Sequence, residues 1–253
     1  GKVPDCIVLN VTVRAMKLHG GGFSTGGGKR PPKEELELEN VEATREGAST
    51  NLRRHVLNLS STGIPVVVSI NLFSGDTDAE VEVIREEAIG AGARDVVIFE
   101  GHAKGGEGAV KLADAVVEAC AAHDATGRPY SPIVESGMPA DQTILRIATK
   151  VYGAQTVDFS PEANKTLESL REWGLENLPV CMAKTQYSFS HEPKELGAPS
   201  GFALPIRELR LNSGAGFIVA ICGSMMTMPG LPVRPAAIDM DMDDDGRLTG
   251  VFS

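Results

Sequence analysis

Residues 64–71 read IPVVVSIN, a run of β-branched and apolar residues with polar punctuation only at its end. Such a run suits a strand covered on both faces, as in a parallel sheet, rather than one that alternates between core and solvent. Two similar runs flank it, CIVLNV beginning at Cys6 and DVVIF at 95–99. Helical spacing lies between and after them: Leu36, Val41, Ala48, Leu52, Val56 and Leu59 within Glu34–Ser60, then stretches from about Asp78 to Ala91 and from Gly108 to Ala122. Strands alternating with helices predict a parallel, doubly wound α/β sheet, with ligands held beyond the carboxyl ends of its strands.

HDATGRPYSP (123–132) reads as a boundary between a core at 1–123 and a smaller mixed α/β domain at 124–253. The second part is expected to hold helices at 139–152 and 161–173 and strands near 156–159 and 178–183. A β-rich end follows: FALPIRELRL, GFIVAICG, and a final acidic hairpin. Gly20–Lys33, rich in Gly, Pro and Lys, reads as a loop.

At 253 residues, with 34 acidic against 24 basic side chains, the chain has a net charge of −10. That balance disfavours non-specific nucleic-acid binding, which relies on a basic surface. No apolar stretch approaches the roughly 20 residues that span a bilayer. Cys6, Cys120, Cys181 and Cys222 are scattered without zinc-ligand spacing, and no metal site is expected. The chain opens on Gly1 and almost at once on a core strand, and reads as a piece of a longer protein.

Three motifs fail on chemistry. EGHAKGGEG places Glu107 and Gly108 where a phosphate loop needs Lys and a hydroxyl, and GGGFSTGGGKR has Phe23 at the first glycine position and Arg30 in place of the hydroxyl. DMDMDDDG begins like a calcium loop, but Phe252 stands where the bidentate Glu is required, so a hairpin is the better reading.

What survives is a set of strand-end segments: RAMKLHGGG after the first strand, NLFSGDT after the second and GHAKGGEG after the third, with AKTQYSFSHEP leaving a later strand. The first three fall at one edge of a parallel sheet, where glycines would let backbone approach a ligand. TVRAMKLHGG, IPVVVSINLFSGDTDAE, HAKGGEGAVKLADAVV, IATKVYGA, LPVCMAKTQYSFSHEPKELGAPSGF and SGAGFIVAICGSMMTMPGLPVRPAAIDMD occur in that order. Together they resemble the formate–tetrahydrofolate ligase family, over its carboxyl-terminal half.

The resemblance implies a reaction. ATP phosphorylates formate, and N10 of tetrahydrofolate attacks the formyl phosphate to give 10-formyltetrahydrofolate, ADP and phosphate. It also implies part of a P-loop NTPase-like core whose phosphate loop belongs to the missing amino-terminal half, so the fragment alone is expected to be inactive. Arg14 and Lys17 are the implied catalytic cations, aimed at anionic groups; Phe73, Ile98 and His102 form the implied folate side. His102 stands where many bacterial members have Trp, and offers less stacking area. Lys184, Thr185, Gln186, Ser213 and Gly214 are candidates for nucleotide or other polar contacts, or else ordinary turns. His19 is site-adjacent, and Met225, Met226 and Met228 read as packing.

ATP with Mg²⁺ and tetrahydrofolate are the implied substrates, and K⁺ or NH₄⁺ the implied activator. The implied partners are the amino-terminal half and further copies of the chain, in the cytoplasm, or in a mitochondrion for a eukaryotic source. The rival reading is a non-catalytic folate-binding or dimerising remnant that lacks the ATP half.

Overall fold

The computed structural model describes residues 3–24, 31–225, 234–244, 246 and 248–249. Gly1–Gly223 form one compact unit and Ser224–Ser253 a second. The first unit carries two sheets, each with its own buried cluster.

The first sheet consists of β1 (Ile7–Val11), β2 (Val66–Asn71) and β3 (Asp95–Phe99), in the order β1-β2-β3 and all parallel. Val66, Val67, Val68 and Ile70 of the central strand are sealed from solvent, as its unbroken apolar run requires. The second sheet joins β4 (Thr156–Phe159), β5 (Val180–Ala183), β6 (Ala203–Asn212) and β7 (Phe217–Cys222) in the order β4-β6-β7-β5. It is mixed: β4 runs parallel to β6, β5 parallel to β7, and β6 antiparallel to β7. The expected parallel sheet and the expected mixed α/β region are both present.

Helices cover these sheets, and the first departs from expectation. RAMKLH is not a strand-end loop but most of helix α1 (Val13–His19). Thr12 accepts a hydrogen bond from the Ala15 N–H, capping the helix immediately after β1, and Val13, Met16 and Lys17 recur at helical spacing on its buried face. The single helix expected over Glu34–Ser60 is divided. Helix α2 (Lys33–Glu37) ends before Asn40 caps α3 (Val41–Gly47), which passes through a π-helical turn, Ala48–Leu52, into α4 (Arg53–Ser60).

Helix α5 (Asp78–Gly90) opens on a capping box between Thr77 and Glu80, and α6 (Gly101–Lys104) and a 3₁₀ turn lead into α7 (Val110–Ala125). Helix α8 (Ala140–Ile147) runs into a second π-helical turn, Ala148–Tyr152; α9 (Pro161–Glu172) follows β4.

The glycines after α1 serve packing. A Cβ on Gly20 would stand 1.9 Å from the Ala43 carbonyl oxygen, and one on Gly47 would stand 2.0 Å from that of Met16. Helices α1 and α3 meet backbone to backbone there, and Gly20, Gly21 and Gly22 also line an open cavity with Asn40, Glu42 and Arg45.

In the second unit β8 (Asp241–Met242) and β9 (Leu248–Thr249) pair antiparallel, the hairpin expected of the acidic segment. Arg30, Met226, Met228 and Phe252 lie outside the described residues.

Candidate functional site

At the carboxyl edge of the parallel sheet, β1 delivers Arg14 and Lys17 on α1, while β2 delivers Phe73 and Asp76 in a tight turn. The turn is closed from both sides: the Asp76 N–H donates to the Phe73 carbonyl at 3.2 Å, and the Phe73 N–H donates to Asp76 Oδ2 at 2.9 Å. Gly75 sits at φ +96°, which a side chain would resist. The Arg14 guanidinium lies over the Phe73 ring, 4.4 Å from its centroid, within cation–π range.

Lys17 does not face this corner as a free cation. Its ammonium is wholly buried, donating to the carbonyl oxygens of Leu36 (3.4 Å) and Leu38 (2.9 Å) and pairing with Glu80 Oε1 at 2.8 Å. Glu80 is equally buried. Its Oε1 also accepts from the Asn40 N–H at 2.8 Å, and its Oε2 from the Thr77 N–H at 3.2 Å. One carboxylate thus ties α1, the start of α3 and the start of α5.

Two side-chain atoms in this corner are buried without a hydrogen-bond partner, Arg14 Nε and Asp76 Oδ1. Burial pushes the Asp76 carboxyl above its ordinary pKa, against the opposing pull of the Phe73 N–H, Arg14 and Lys17.

A second cavity, about 240 Å³, is lined from one side by His19, Asn51 and His55 and from the other by Tyr152, Met182, Lys184, Thr185, Gln186, Ser188 and Phe189. Both π-helical turns contribute to it, through Asn51 and Tyr152, and such turns recur where local geometry serves a site. Gly197, in the segment that follows Phe189, ties that segment to the first side: its N–H donates to His19 Nδ1 at 3.1 Å and its carbonyl accepts from Asn51 Nδ2 at 3.1 Å. Burial and the neighbouring His55 pull the His19 pKa down to about 4, so the imidazole is neutral at pH 7. His55, whose ring centre lies 4.6 Å from that of Phe189 with the planes tilted by 41°, is shifted the same way.

The Lys184 ammonium donates to the carbonyls of Thr185 (2.9 Å), Ser188 and Ser190 (3.0 Å) and lies 4.9 Å from the Tyr152 ring centre. Burial lowers its pKa to about 8, still above neutrality, and raises that of Tyr152 to about 12.

A family model described as formate–tetrahydrofolate ligase matches residues 1–252. The chain belongs to that family. It is 46% identical over 249 residues to the formate–tetrahydrofolate ligase of Staphylococcus aureus (strain Newman), covering 98% of this chain and 42% of that protein. Against the cytoplasmic C-1-tetrahydrofolate synthase of Schizosaccharomyces pombe it is 44% identical over 251 residues, 99% of this chain and 26% of that protein. The chain therefore spans less than half the length of these relatives.

Among the residues expected from the ligase resemblance, Arg14 and Phe73 come together. Ile98 is half-buried on β3, opposite Ile70, and packs on the first core. His102 is exposed on α6, and among the described residues its ring does not meet that of Phe73. Lys184, Thr185 and Gln186 line the second cavity. Ser213 and Gly214 occupy the exposed β6–β7 turn, at the start of β7. Because β5 and β7 run parallel with Ala183 opposite Ile221, that turn lies at the other end of the sheet from Lys184.

Sequence reading missed Asp76, Glu80, His55 and Tyr152. Only Glu80 carried a local signal, the Thr77-x-x-Glu80 spacing of a capping box. Among the described residues no cluster of three or more His, Cys, Asp or Glu is placed to hold a metal ion, and no helix is long and apolar enough to cross a membrane.

Proposed function

We propose that the chain supplies the folate side of a formate–tetrahydrofolate ligase, as its carboxyl-terminal half. In that reading ATP, as its Mg²⁺ complex, and formate give formyl phosphate, from which tetrahydrofolate takes the formyl group at N10. The observation that carries the reading is Phe73, set at the carboxyl edge of a parallel sheet beside the Arg14 guanidinium. A flat ring and a cation gathered at one sheet edge suit a pteridine next to an anionic acyl phosphate.

His102, exposed on the adjoining strand-end segment, reaches the pterin only when the ligand bridges the gap between them. Lys17, whose ammonium is spent on Glu80 and two carbonyls, acts by positioning Arg14 rather than by touching substrate. The cavity at Lys184, Thr185 and Gln186 is the place for a further polar contact of the ligand or nucleotide. A monovalent activator finds no vacancy at the carbonyls of Thr185, Ser188 and Ser190, since Lys184 Nζ fills them. The phosphate loop of a P-loop NTPase-like core, the grip on ATP and the completed oligomer come from the rest of the protein, in the cytoplasm.

Two measurements test this. The chain alone should give no 10-formyl product from ATP, formate and tetrahydrofolate, whereas adding the amino-terminal half of a relative should restore turnover; activity of the chain alone would place the phosphate grip within these residues. Phe73→Ala should weaken tetrahydrofolate binding by about tenfold, on the scale of a lost stacking contact of 1–1.5 kcal/mol. Unchanged affinity would remove Phe73 from the site.

A further inference from the structure

Two thiols meet at the foot of the parallel sheet, far from the Phe73 corner. Side chains alternate along β1: Ile7, Leu9 and Val11 pack into the core shared with α1 and α5, so Cys6, one position before the strand, faces the opposite side. There it packs against the cluster formed by Val67 and Val97 of the sheet with Ala115 and Ala119 of α7. Cys120 is the next residue of α7, and both thiols are free and half-buried.

One guanidinium ties the two backbones together at this point. Arg128 pairs with Asp5, the residue before Cys6, and with Asp124 at 3.5 Å. Cys120 and Asp124 stand four positions apart on α7 and so share a face, which is the face turned toward Asp5 and Cys6. Burial raises the Cys6 thiol above its ordinary pKa, and Cys120 raises it further, as a near neighbour of the same charge does. The other two cysteines lack such an arrangement. Cys181 is exposed on β5, where it lies opposite Val219, while Cys222 is buried further along β7. Three residues of strand, about 10 Å, separate them along the sheet, more than the roughly 7 Å between Cα atoms that a disulfide spans.

We propose that Cys6 and Cys120 are a thiol–disulfide couple which, when oxidised, staples the foot of β1 to α7. The oxidant class is a low-molecular-weight disulfide such as oxidised glutathione. One cysteine thiolate attacks a glutathione sulfur, forming a mixed disulfide and expelling a glutathione thiolate. The second cysteine thiolate attacks the protein sulfur of that bond, forming the bridge and expelling the other glutathione thiolate. Two electrons pass from the pair to the oxidant, and the two protons leaving the cysteines end on the two glutathiones. Half-buried rather than sealed, both sulfurs stay open to this exchange and to its reversal. The bridge joins positions 114 apart in sequence, so it removes freedom chiefly from the unfolded chain. It also anchors the strand that leads, through the Thr12 cap, into α1 and Arg14.

The test uses the full chain carrying Cys181→Ser, which removes the exposed thiol. The folded protein is incubated with oxidised glutathione at about pH 8.5, where the attacking thiolate is available; remaining thiols are then blocked and peptides mapped without reduction. The expected product has lost two hydrogens, carries a Cys6–Cys120 cross-link with Cys222 still free, and melts several degrees above the reduced chain. Dithiothreitol should reverse all of this. With Cys6→Ser added, the reaction should stop at a glutathione adduct on Cys120 and bring no gain in melting temperature.

Cys6 and Cys120 each ending as a glutathione adduct, or both staying reduced, overturns the proposal. So does a cross-link that forms only in urea, or one that leaves the melting temperature where it was.

Discussion

Lys17 and Glu80 show how a residue can be visible in sequence and its use invisible. A lysine shortly after a core strand reads as a cation aimed at a ligand; its actual anion is a carboxylate 63 positions further along, fully buried with it. Nothing local in the sequence marks that pairing. Because removing one partner leaves a charge stranded in the interior, Lys17→Met should cost about 3–5 kcal/mol in chemical denaturation. The double replacement Lys17→Met with Glu80→Gln should recover part of that loss, and no recovery would count against a coupled pair.

His19 gives a pH signature. Its folded pKa of about 4 lies below the ordinary histidine value of 6.5, so the unfolded chain binds the proton more readily. Its contribution is present above pH 6.5 and is lost as pH falls through 4. Melting temperatures between pH 7 and pH 4 should therefore fall less steeply in His19→Gln than in the unchanged chain.

At the level of elements, the strands were the most legible features, because IPVVVSIN and DVVIF have the length and composition of covered strands. Helix α1 was not legible, since seven residues carrying Arg, Lys and His look like an exit from the core until Thr12 is seen to cap them. The π-helical turns were hidden as well: ASTNL and ATKVY have no composition that separates them from ordinary helix.

The contact of α1 with α3 should be intolerant of bulk. Gly47→Ala would drive a methyl into the Met16 carbonyl and should destabilise the fold by about 1–3 kcal/mol, the usual cost of overpacking. Gly90, which has open space around it, is the control: replacing it with Ala should not destabilise. The segment after β5 depends on Lys184 in a different way, through three carbonyls that its ammonium satisfies. In Lys184→Met those carbonyls turn toward water, and limited proteolysis should cut within 185–190 sooner than in the unchanged chain.

For the whole molecule, alternating strands and helices sufficed to foresee a parallel sheet and a second α/β region, but not that the second sheet mixes parallel and antiparallel pairs. The meeting of His19, His55, Tyr152 and Lys184 was out of reach of that reasoning. They stand up to 165 positions apart and are brought together by long-range bonds, those of Gly197 to His19 and Asn51 and those of Arg54 and Asn58 to the Val151 carbonyl.

Helix α1 carries the Phe73 corner at its start and the Lys184 cavity at its finish. Arg14 and His19 are five residues apart, about 7.5 Å of helical rise, on a rod too short to bend. Any tilt that frees the guanidinium must therefore swing the imidazole, and a molecule docking at one end is felt at the other as a lever feels its far arm. The amide proton of Gly197, held by that imidazole, is the natural gauge: its exchange rate should change when tetrahydrofolate binds beside Phe73.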